Sequence, residues 1–148
     1  EELNRRFPME AQNNLYFTIC YGVLDVETRK LRFVSAGHPP MVHLPKGGKA
    51  KLVPGEGFAI GIVDDVPYDE VELQLQPGDR IYLYSDGVPE GMDQDLEQFT
   101  DGRMLATLEE RAASPLSESV DELFARVEEW CKVKGPKNDI SILGFEIN

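Results

Sequence analysis

An acidic residue directly follows an apolar run near the middle of the chain, in the sequence Tyr84-Ser85-Asp86-Gly87. Residues 81–84 show no polar alternation, which is typical of a strand buried on both faces. A carboxylate at the end of such a strand is costly unless it is paired, hydrogen-bonded or bound to a cation. Asp86 is therefore a candidate metal ligand, and the alternative is an Asp-Gly turn whose side chain accepts nearby backbone N–H groups.

A second polar pair, Asn138-Asp139, precedes the apolar run at the end of the chain. If these residues open the last strand, their side chains point to opposite faces of the sheet. At most one of them can then face a site shared with Asp86, and the sequence does not decide which. The alternative is an ordinary polar strand start.

Between Arg80 and Arg103 every charged residue is acidic: Asp86, Glu90, Asp93, Asp95, Glu97 and Asp101. Hard divalent cations prefer such oxygen ligands, so a metal site is chemically possible. The spacing does not match a calcium-binding EF-hand loop. We therefore interpret Asp93, Asp95 and Glu97 as a solvated acidic loop.

The remaining candidates are interpreted as structural. His38, between Gly37 and Pro39, could be a ligand, but we favour a side chain that binds a carbonyl and holds a turn. We assign no function to His43, and we interpret the Trp130 helix face as core. No nucleophilic triad, Cys/His pair or phosphate-binding glycine loop is recognisable.

The elements that must position these residues change in type along the chain. Strand patterns cover residues 15–24, 31–35, 41–44, 50–53, 70–76, 81–84 and 139–147. The first two are spaced as a hairpin. Two helices with one apolar stripe each are predicted to begin at Thr100 and Ser117, which would cap them. Strands followed by two helices and a returning strand predict an α+β fold with mostly antiparallel pairing.

The composition limits the class of protein. The chain has 148 residues with 27 acidic against 15 basic side chains, a net charge of −12, which predicts one domain over residues 1–148 and disfavours nucleic-acid binding. No apolar run is long enough to cross a membrane, and no signal peptide opens the chain. Cys20 and Cys131 are interpreted as reduced thiols, so we expect a cytoplasmic protein.

Five segments, taken in order, resemble one family: residues 17–25, 35–40, 75–79, 84–90 and 138–141. The family is the bacterial metal-dependent serine/threonine phosphatases of the protein phosphatase 2C class, in particular the stage II sporulation protein E and stress-response regulator group. The resemblance implies two packed, mostly antiparallel sheets flanked by helices. It also implies a site at one edge, where carboxylates hold two Mn²⁺ or Mg²⁺ ions.

The resemblance assigns metal-binding positions residue by residue. Asp86 and Gly87 match the family's metal-binding Asp before Gly. Asn138 and Asp139 fall on a pair that is usually Asp-Asp, whose first member is the ligand. No catalytic residue beyond the metal ligands is implied, and His38 matches the family's Gly-His-Pro turn.

Two departures from the family pattern affect the functional prediction. The family's first metal motif, an Asp shortly followed by Gly-His-Gly, is absent, so we expect an N-terminally incomplete domain. Asn138 can donate an oxygen but brings no charge, which weakens a divalent site. We expect this chain by itself to have little or no phosphatase activity. The alternative is a non-catalytic, phosphatase-like module that binds a regulatory partner.

The resemblance also implies partners. The expected substrate is a phosphoserine or phosphothreonine on a regulatory protein, such as an anti-sigma-factor antagonist, and the parent would carry a receiver or sensor domain upstream. A sheet that lacks an early strand would expose an edge, so homodimerisation through that edge is a further expectation.

Overall fold

The computed structural model describes residues 1–63 and 66–148, which form two compact units. The first unit comprises Glu1–Pro40 and Pro54–Leu75, and the second comprises Met41–Val53 and Gln76–Asn148. Each unit is built around one antiparallel sheet. The α+β class and the mostly antiparallel pairing are thereby confirmed. The assignment of residues 1–148 to one domain stays a prediction.

The first unit begins with α1 (Glu2–Arg6) and a short 3-10 helix (Met9–Gln12). Its sheet has the order β1–β2–β5, with bounds Ile19–Asp25, Lys30–Ala36 and Val71–Gln74. The predicted hairpin of β1 and β2 is confirmed. Its turn is held by Asp25, whose carboxylate accepts the backbone N–H groups of Thr28 and Glu27, and these bonds lower the pKa of Asp25.

Strand β1 lies at the edge of this sheet and carries exposed apolar side chains. Tyr21 is 66 % exposed and Val23 is 45 % exposed, and both point to the same face because strand side chains alternate. Among the described residues, β1 pairs only with β2. The expected exposed edge is therefore present, and the homodimer itself stays a prediction.

The second unit contains the four-stranded sheet β4–β3–β6–β7 and two helices. The strands are β3 (Met41–Leu44), β4 (Lys51–Val53), β6 (Arg80–Tyr84) and β7 (Ile142–Glu146), and the helices are α2 (Thr100–Glu110) and α3 (Leu116–Cys131). Strand β6 pairs with β3 and β7 and is almost wholly buried, as its unbroken apolar sequence predicts.

The helices cover this sheet with the stripes that their spacing predicts. Leu123, Val127 and Cys131 of α3 recur every four residues and are buried with Met104 and Leu108 of α2. Two residues depart from the prediction. Phe124 is 39 % exposed, and Trp130 is only half-buried at the margin of the core.

Both predicted helix caps are wrong. Phe99 and Pro115 occupy the N-cap positions, and neither helix has a side-chain cap hydrogen bond. The hydroxyls therefore contribute no cap. At the start of α2, Thr100 N donates instead to Pro89 O at 2.8 Å.

The two cysteines are free, as predicted, and burial raises the pKa of both thiols. Within residues 1–63 and 66–148, no helix has the length and apolar character needed to cross a bilayer.

Candidate functional site

The segment after β6 forms a tight turn that carries Asp86. Val88 N donates to Ser85 O and Glu90 N donates to Asp86 O, both at 3.0 Å. Val88 is fully buried in the core of the second unit, whereas Asp86 and Glu90 are exposed. The buried side chain of Val88 thus attaches the turn to the core, and the carboxylates of Asp86 and Glu90 lie on its solvent side.

Ser85 ties this turn to the chain segment before β7. Its backbone N donates to Ser141 O at 3.0 Å, and its hydroxyl donates to Asp139 O at 2.7 Å. The Ser85 hydroxyl also accepts the N–H of Ser141 at 2.9 Å. A side chain therefore continues the pairing of β6 with β7 past its last residue pair, Tyr84 and Ile142.

Gly87 lies directly against the same segment. A Cβ atom at this position would be 2.5 Å from Asp139 O and 2.9 Å from Asn138 O, and both are backbone atoms that cannot easily move. One interpretation of the sequence here is an Asp-Gly turn. The backbone of Gly87 is not left-handed, and the reason for glycine here is this close approach. The structure thereby brings Asp86, Gly87, Asn138 and Asp139 to one edge.

The side chains of Asn138 and Asp139 differ in their surroundings. Strand β7 begins only at Ile142, so the expected opposite-face arrangement of a strand start does not apply to this pair. Asn138 is half-buried, and its amide Nδ2 lies 3.5 Å from Oε2 of Glu90. Asp139 is exposed. The amide oxygen of Asn138 is thus directed away from the Glu90 carboxylate.

The oxygen donors of this edge fit a hard divalent cation in kind. In number they fall short of a complete site. Within the described part of the chain, no three acidic, histidine or cysteine side chains converge closely enough to hold a metal. The edge can contribute ligands, and a complete metal centre needs donors beyond it.

The other predicted candidates lie elsewhere. His38 is half-buried in the first unit, where its Nδ1 donates to Pro39 O at 2.9 Å and its own carbonyl accepts the Ser35 hydroxyl at 3.1 Å. In the acidic run, Asp93 Oδ1 accepts the backbone N–H groups of Asp95 and Glu97, both at 2.9 Å. These contacts agree with a turn histidine and with an acidic loop that holds its own backbone.

Sequence reasoning missed a buried pair in the second unit. Nε2 of His43 lies 3.0 Å from Oδ2 of Asp79, and the Asp79 carboxylate also accepts the backbone N–H groups of Lys46 and Gln76. Burial raises the pKa of Asp79, but these hydrogen bonds outweigh it and hold the pKa below its usual value. The pairing therefore stabilises the fold near neutral pH and is lost as the pH falls through this lowered pKa.

Comparison with known families shows which family the chain belongs to. The whole chain, residues 1–148, matches the family described as Stage II sporulation protein E (SpoIIE). The chain belongs to this family. The phosphoserine phosphatase RsbU of Bacillus subtilis is 29 % identical over 91 residues, which are 61 % of this chain and 27 % of RsbU. Protein IcfG of Synechocystis sp. is 28 % identical over 94 residues, 64 % of this chain and 15 % of IcfG.

The chain therefore spans less than a third of the length of these two relatives. Among solved structures, the SiaA-PP2C domain of Pseudomonas aeruginosa superposes with a TM-score of 0.78 at 22 % identity, over 99 % of this chain and 68 % of that one. The RsbU and RsbW domains of Rv1364c from Mycobacterium tuberculosis give 0.74 at 22 % identity, over 97 % and 39 %. The fold is that of the protein phosphatase 2C-like domains.

Proposed function

We propose that this chain is part of a metal-dependent phosphatase that removes phosphate from phosphoserine or phosphothreonine in a bacterial signalling protein. The observation that carries the proposal is the edge at which Ser85 and Gly87 bring the turn of Asp86 against the backbone of Asn138 and Asp139. In a chain of the SpoIIE family, the motif residues Asp86, Gly87, Asn138 and Asp139 thus lie together at one edge. The similarity to RsbU, a phosphoserine phosphatase, supports the choice of substrate.

In this proposal Asp86 and Asn138 contribute oxygen ligands to a site for Mn²⁺ or Mg²⁺, with Asp139 and the carbonyl of Gly87 close by. Such ions, when bound, neutralise the charge of a phosphate group and promote attack by water. This chain's own residues position the donors. The buried side chain of Val88 and the Ser85 hydrogen bonds keep the turn from moving when a charged substrate arrives.

The donor number leads to a prediction about the isolated chain. Because the described residues supply only part of a metal site, we expect the 148-residue chain to show little or no Mn²⁺-dependent hydrolysis of a phosphoserine peptide. In the full-length natural protein, Asp86→Ala should lower that hydrolysis by about a hundredfold or more, since metal ions contribute several kcal/mol to such reactions.

The control is Asp95→Ala, which removes an exposed carboxylate from the neighbouring acidic loop and should leave hydrolysis unchanged. A full-length Asp86→Ala variant that keeps wild-type hydrolysis would contradict the proposal. Robust hydrolysis by the isolated chain would contradict the prediction that its set of metal donors is incomplete.

The second candidate is a phosphatase-like module that binds a regulatory partner without turnover. Asn138 favours it, because an amide stands where the family usually has a charged ligand. Calorimetric titration of the full-length protein with Mn²⁺ separates the two. The enzyme is expected to bind Mn²⁺ and to lose that binding in Asp86→Ala, whereas a non-catalytic module binds no Mn²⁺ in either form.

The proposed partner is a phosphorylated regulatory protein such as an anti-sigma-factor antagonist, in the cytoplasm. We further propose an upstream receiver or sensor domain in the parent. The limited share of RsbU and IcfG that this chain covers is compatible with that arrangement.

A further inference from the structure

A cleft of about 740 Å³ lies between α2 and α3 in the second unit. Phe99, Ala106, Ala125, Trp130 and Val133 form its apolar lining. Clefts of roughly 300–1,000 Å³ are the usual size for small organic ligands. None of the four residues of the Asp86 edge lines it.

The acidic side chains of the cleft already have partners. Glu110 pairs with Arg126 at 2.7 Å, and Glu129 pairs with Lys132. Asp93 accepts two backbone N–H groups of its own loop. The carboxylates that line the cleft are therefore engaged, and two of its three cations are used in pairing them.

Arg103 is the third cation, and it is held without a carboxylate. Its guanidinium carbon lies 4.2 Å from the centre of the Trp130 ring. Its Nη1 donates to the carbonyls of Gln98 at 3.1 Å and Phe99 at 3.4 Å. In the part of the chain that the structure describes, Arg103 forms no ion pair, and its Nε and Nη2 atoms make no hydrogen bond.

This arrangement fixes the guanidinium and leaves one edge for a ligand. The Nε–Nη2 edge carries two parallel N–H groups, the geometry that binds a carboxylate through both of its oxygens. Stacking on Trp130 and two carbonyl bonds restrict the guanidinium before any ligand arrives, which reduces the ordering cost of binding.

The charge of the cleft favours a carboxylate over a phosphate. The lining has three cations and three carboxylates, and Arg103 is the one cation among them that pairs with no carboxylate of the described residues, so the cleft offers one positive charge to a ligand and no more. A phosphate monoester carries about two negative charges at neutral pH, and the carboxylates of Asp93, Glu110 and Glu129 around it disfavour the excess. The apolar surface of Trp130, Ala125 and Val133 suits an uncharged body attached to the anion.

We propose that this cleft binds a small organic carboxylate. Its carboxylate lies on the Nε–Nη2 edge of Arg103, and its apolar body packs against Trp130. The site is independent of the phosphatase proposal, because it uses neither Asp86 nor a metal ion.

Trp130 provides the assay, because it is the only tryptophan of the chain. Cyclohexanecarboxylate is a suitable probe since it does not absorb where indole does. We expect saturable change of Trp130 fluorescence with a dissociation constant in the millimolar range, as befits a ligand of about nine heavy atoms. Cyclohexanecarboxamide, which has the same shape without the charge, should bind at least about tenfold more weakly.

The decisive variant is Arg103→Gln, which should weaken carboxylate binding about tenfold or more. Arg103→Lys keeps the charge without the two-pronged edge and should give an intermediate loss. Arg5→Gln makes the same charge change at an exposed position outside the cleft lining and should have no effect. Circular dichroism checks that each variant is folded, and the Arg103→Lys series carries the test if Arg103→Gln does not fold.

Several results would overturn the proposal: no saturation up to tens of millimolar, equal binding of the amide and the carboxylate, or unchanged binding by Arg103→Gln. Tighter binding of cyclohexyl phosphate would replace the carboxylate by a phosphate ligand. Tighter binding of a capped acidic peptide than of the probe would assign the cleft to a protein partner instead.

Discussion

The two units of the chain differ in where their large apolar side chains lie. In the second unit, most of those on β6, α2 and α3 are inside, with Tyr82, Leu108 and Leu123 almost fully buried. In the first unit, Leu15, Tyr21 and other large apolar side chains are more than half exposed. The second unit thus completes its core with its own residues, whereas the first carries an apolar surface of the kind that marks interaction sites.

Some polar interactions of the second unit are more deeply buried than the ion pairs of the first. In the second unit, the hydroxyls of Tyr82 and Ser119 are buried 2.9 Å apart, and Arg80 binds Glu146 at 2.6 Å from a side chain that is only 9 % exposed. In the first unit, the ion pair of Lys30 and Glu72 spans 2.9 Å with both side chains about half exposed. Burial makes these two interactions of the second unit costly to break.

The largest expected effect tests this difference with apolar truncations. Leu123→Ala should destabilise the protein by about 2–5 kcal/mol, because it leaves a cavity in a closed core. Tyr21→Ala, at the exposed face of β1, should cost no more than about 1 kcal/mol, which is the span of strand propensities. Unfolding in guanidinium chloride, followed by circular dichroism and by Trp130 fluorescence, measures both.

Similar losses for the two variants would break the comparison. They would mean that the face of Tyr21 is covered in solution, for example by a second copy of the chain. Sedimentation at several protein concentrations then distinguishes a dimer, which the sequence predicts, from a monomer with a differently packed β1.

A smaller effect concerns a feature that the two units share, a glycine packed closely against backbone oxygens. Gly87 lies against backbone carbonyls in the second unit, and a Cβ on Gly57 in the first unit would lie 2.3 Å from Ser35 O. Gly87→Ala and Gly57→Ala should each cost about 1–3 kcal/mol, because the backbone must shift to admit a methyl group. Thermal unfolding monitored by circular dichroism is the measurement.

Gly102→Ala is the matched control. It lies in α2, and the nearest atom to an added Cβ, Thr100 Oγ1, is 3.8 Å away, so this change should stabilise the helix by up to about 1 kcal/mol. If Gly57→Ala cost no more stability than Gly102→Ala, the backbone of the first unit would shift easily to admit a methyl group. The two units would then differ in backbone packing as well as in exposed apolar surface.

The elements of the fold could be predicted from local sequence. The unbroken apolar run of β6, the alternation of β5 and the stripes of α2 and α3 each follow from side-chain periodicity within a few residues. The candidate edge was also predictable as a set, because Asp86-Gly87 and Asn138-Asp139 resemble motifs of one family. Their metal-binding role stays a prediction.

Features that depend on contacts distant in sequence could not be predicted. The pairing of His43 with Asp79 joins residues 36 positions apart, and the stacking of Arg103 on Trp130 joins two helices. The start of β7 was placed too early because a side chain, Ser85, takes over the pairing before Ile142. Side-chain periodicity does not indicate that a serine hydroxyl, and not a strand, makes the hydrogen bonds of this segment.

The smallest expected effect concerns the two cross-strand ion pairs. Glu146→Gln removes the charge opposite Arg80 on β6, and we expect a loss of about 1–2 kcal/mol, because the nearly buried guanidinium keeps its carbonyl contacts to Arg111 and Ser114 but loses its charged partner. Glu72→Gln, the matched change in the first unit, should cost about 0–0.5 kcal/mol, since water already solvates both partners. Raising the salt concentration to about 1 M should abolish the small Glu72 effect and leave most of the Glu146 effect, because screening acts mainly on exposed charges. Urea unfolding at low and high salt measures all four values. Equal losses for the two variants, or equal sensitivity to salt, would show that the polar interactions of the two units do not differ as their burial indicates.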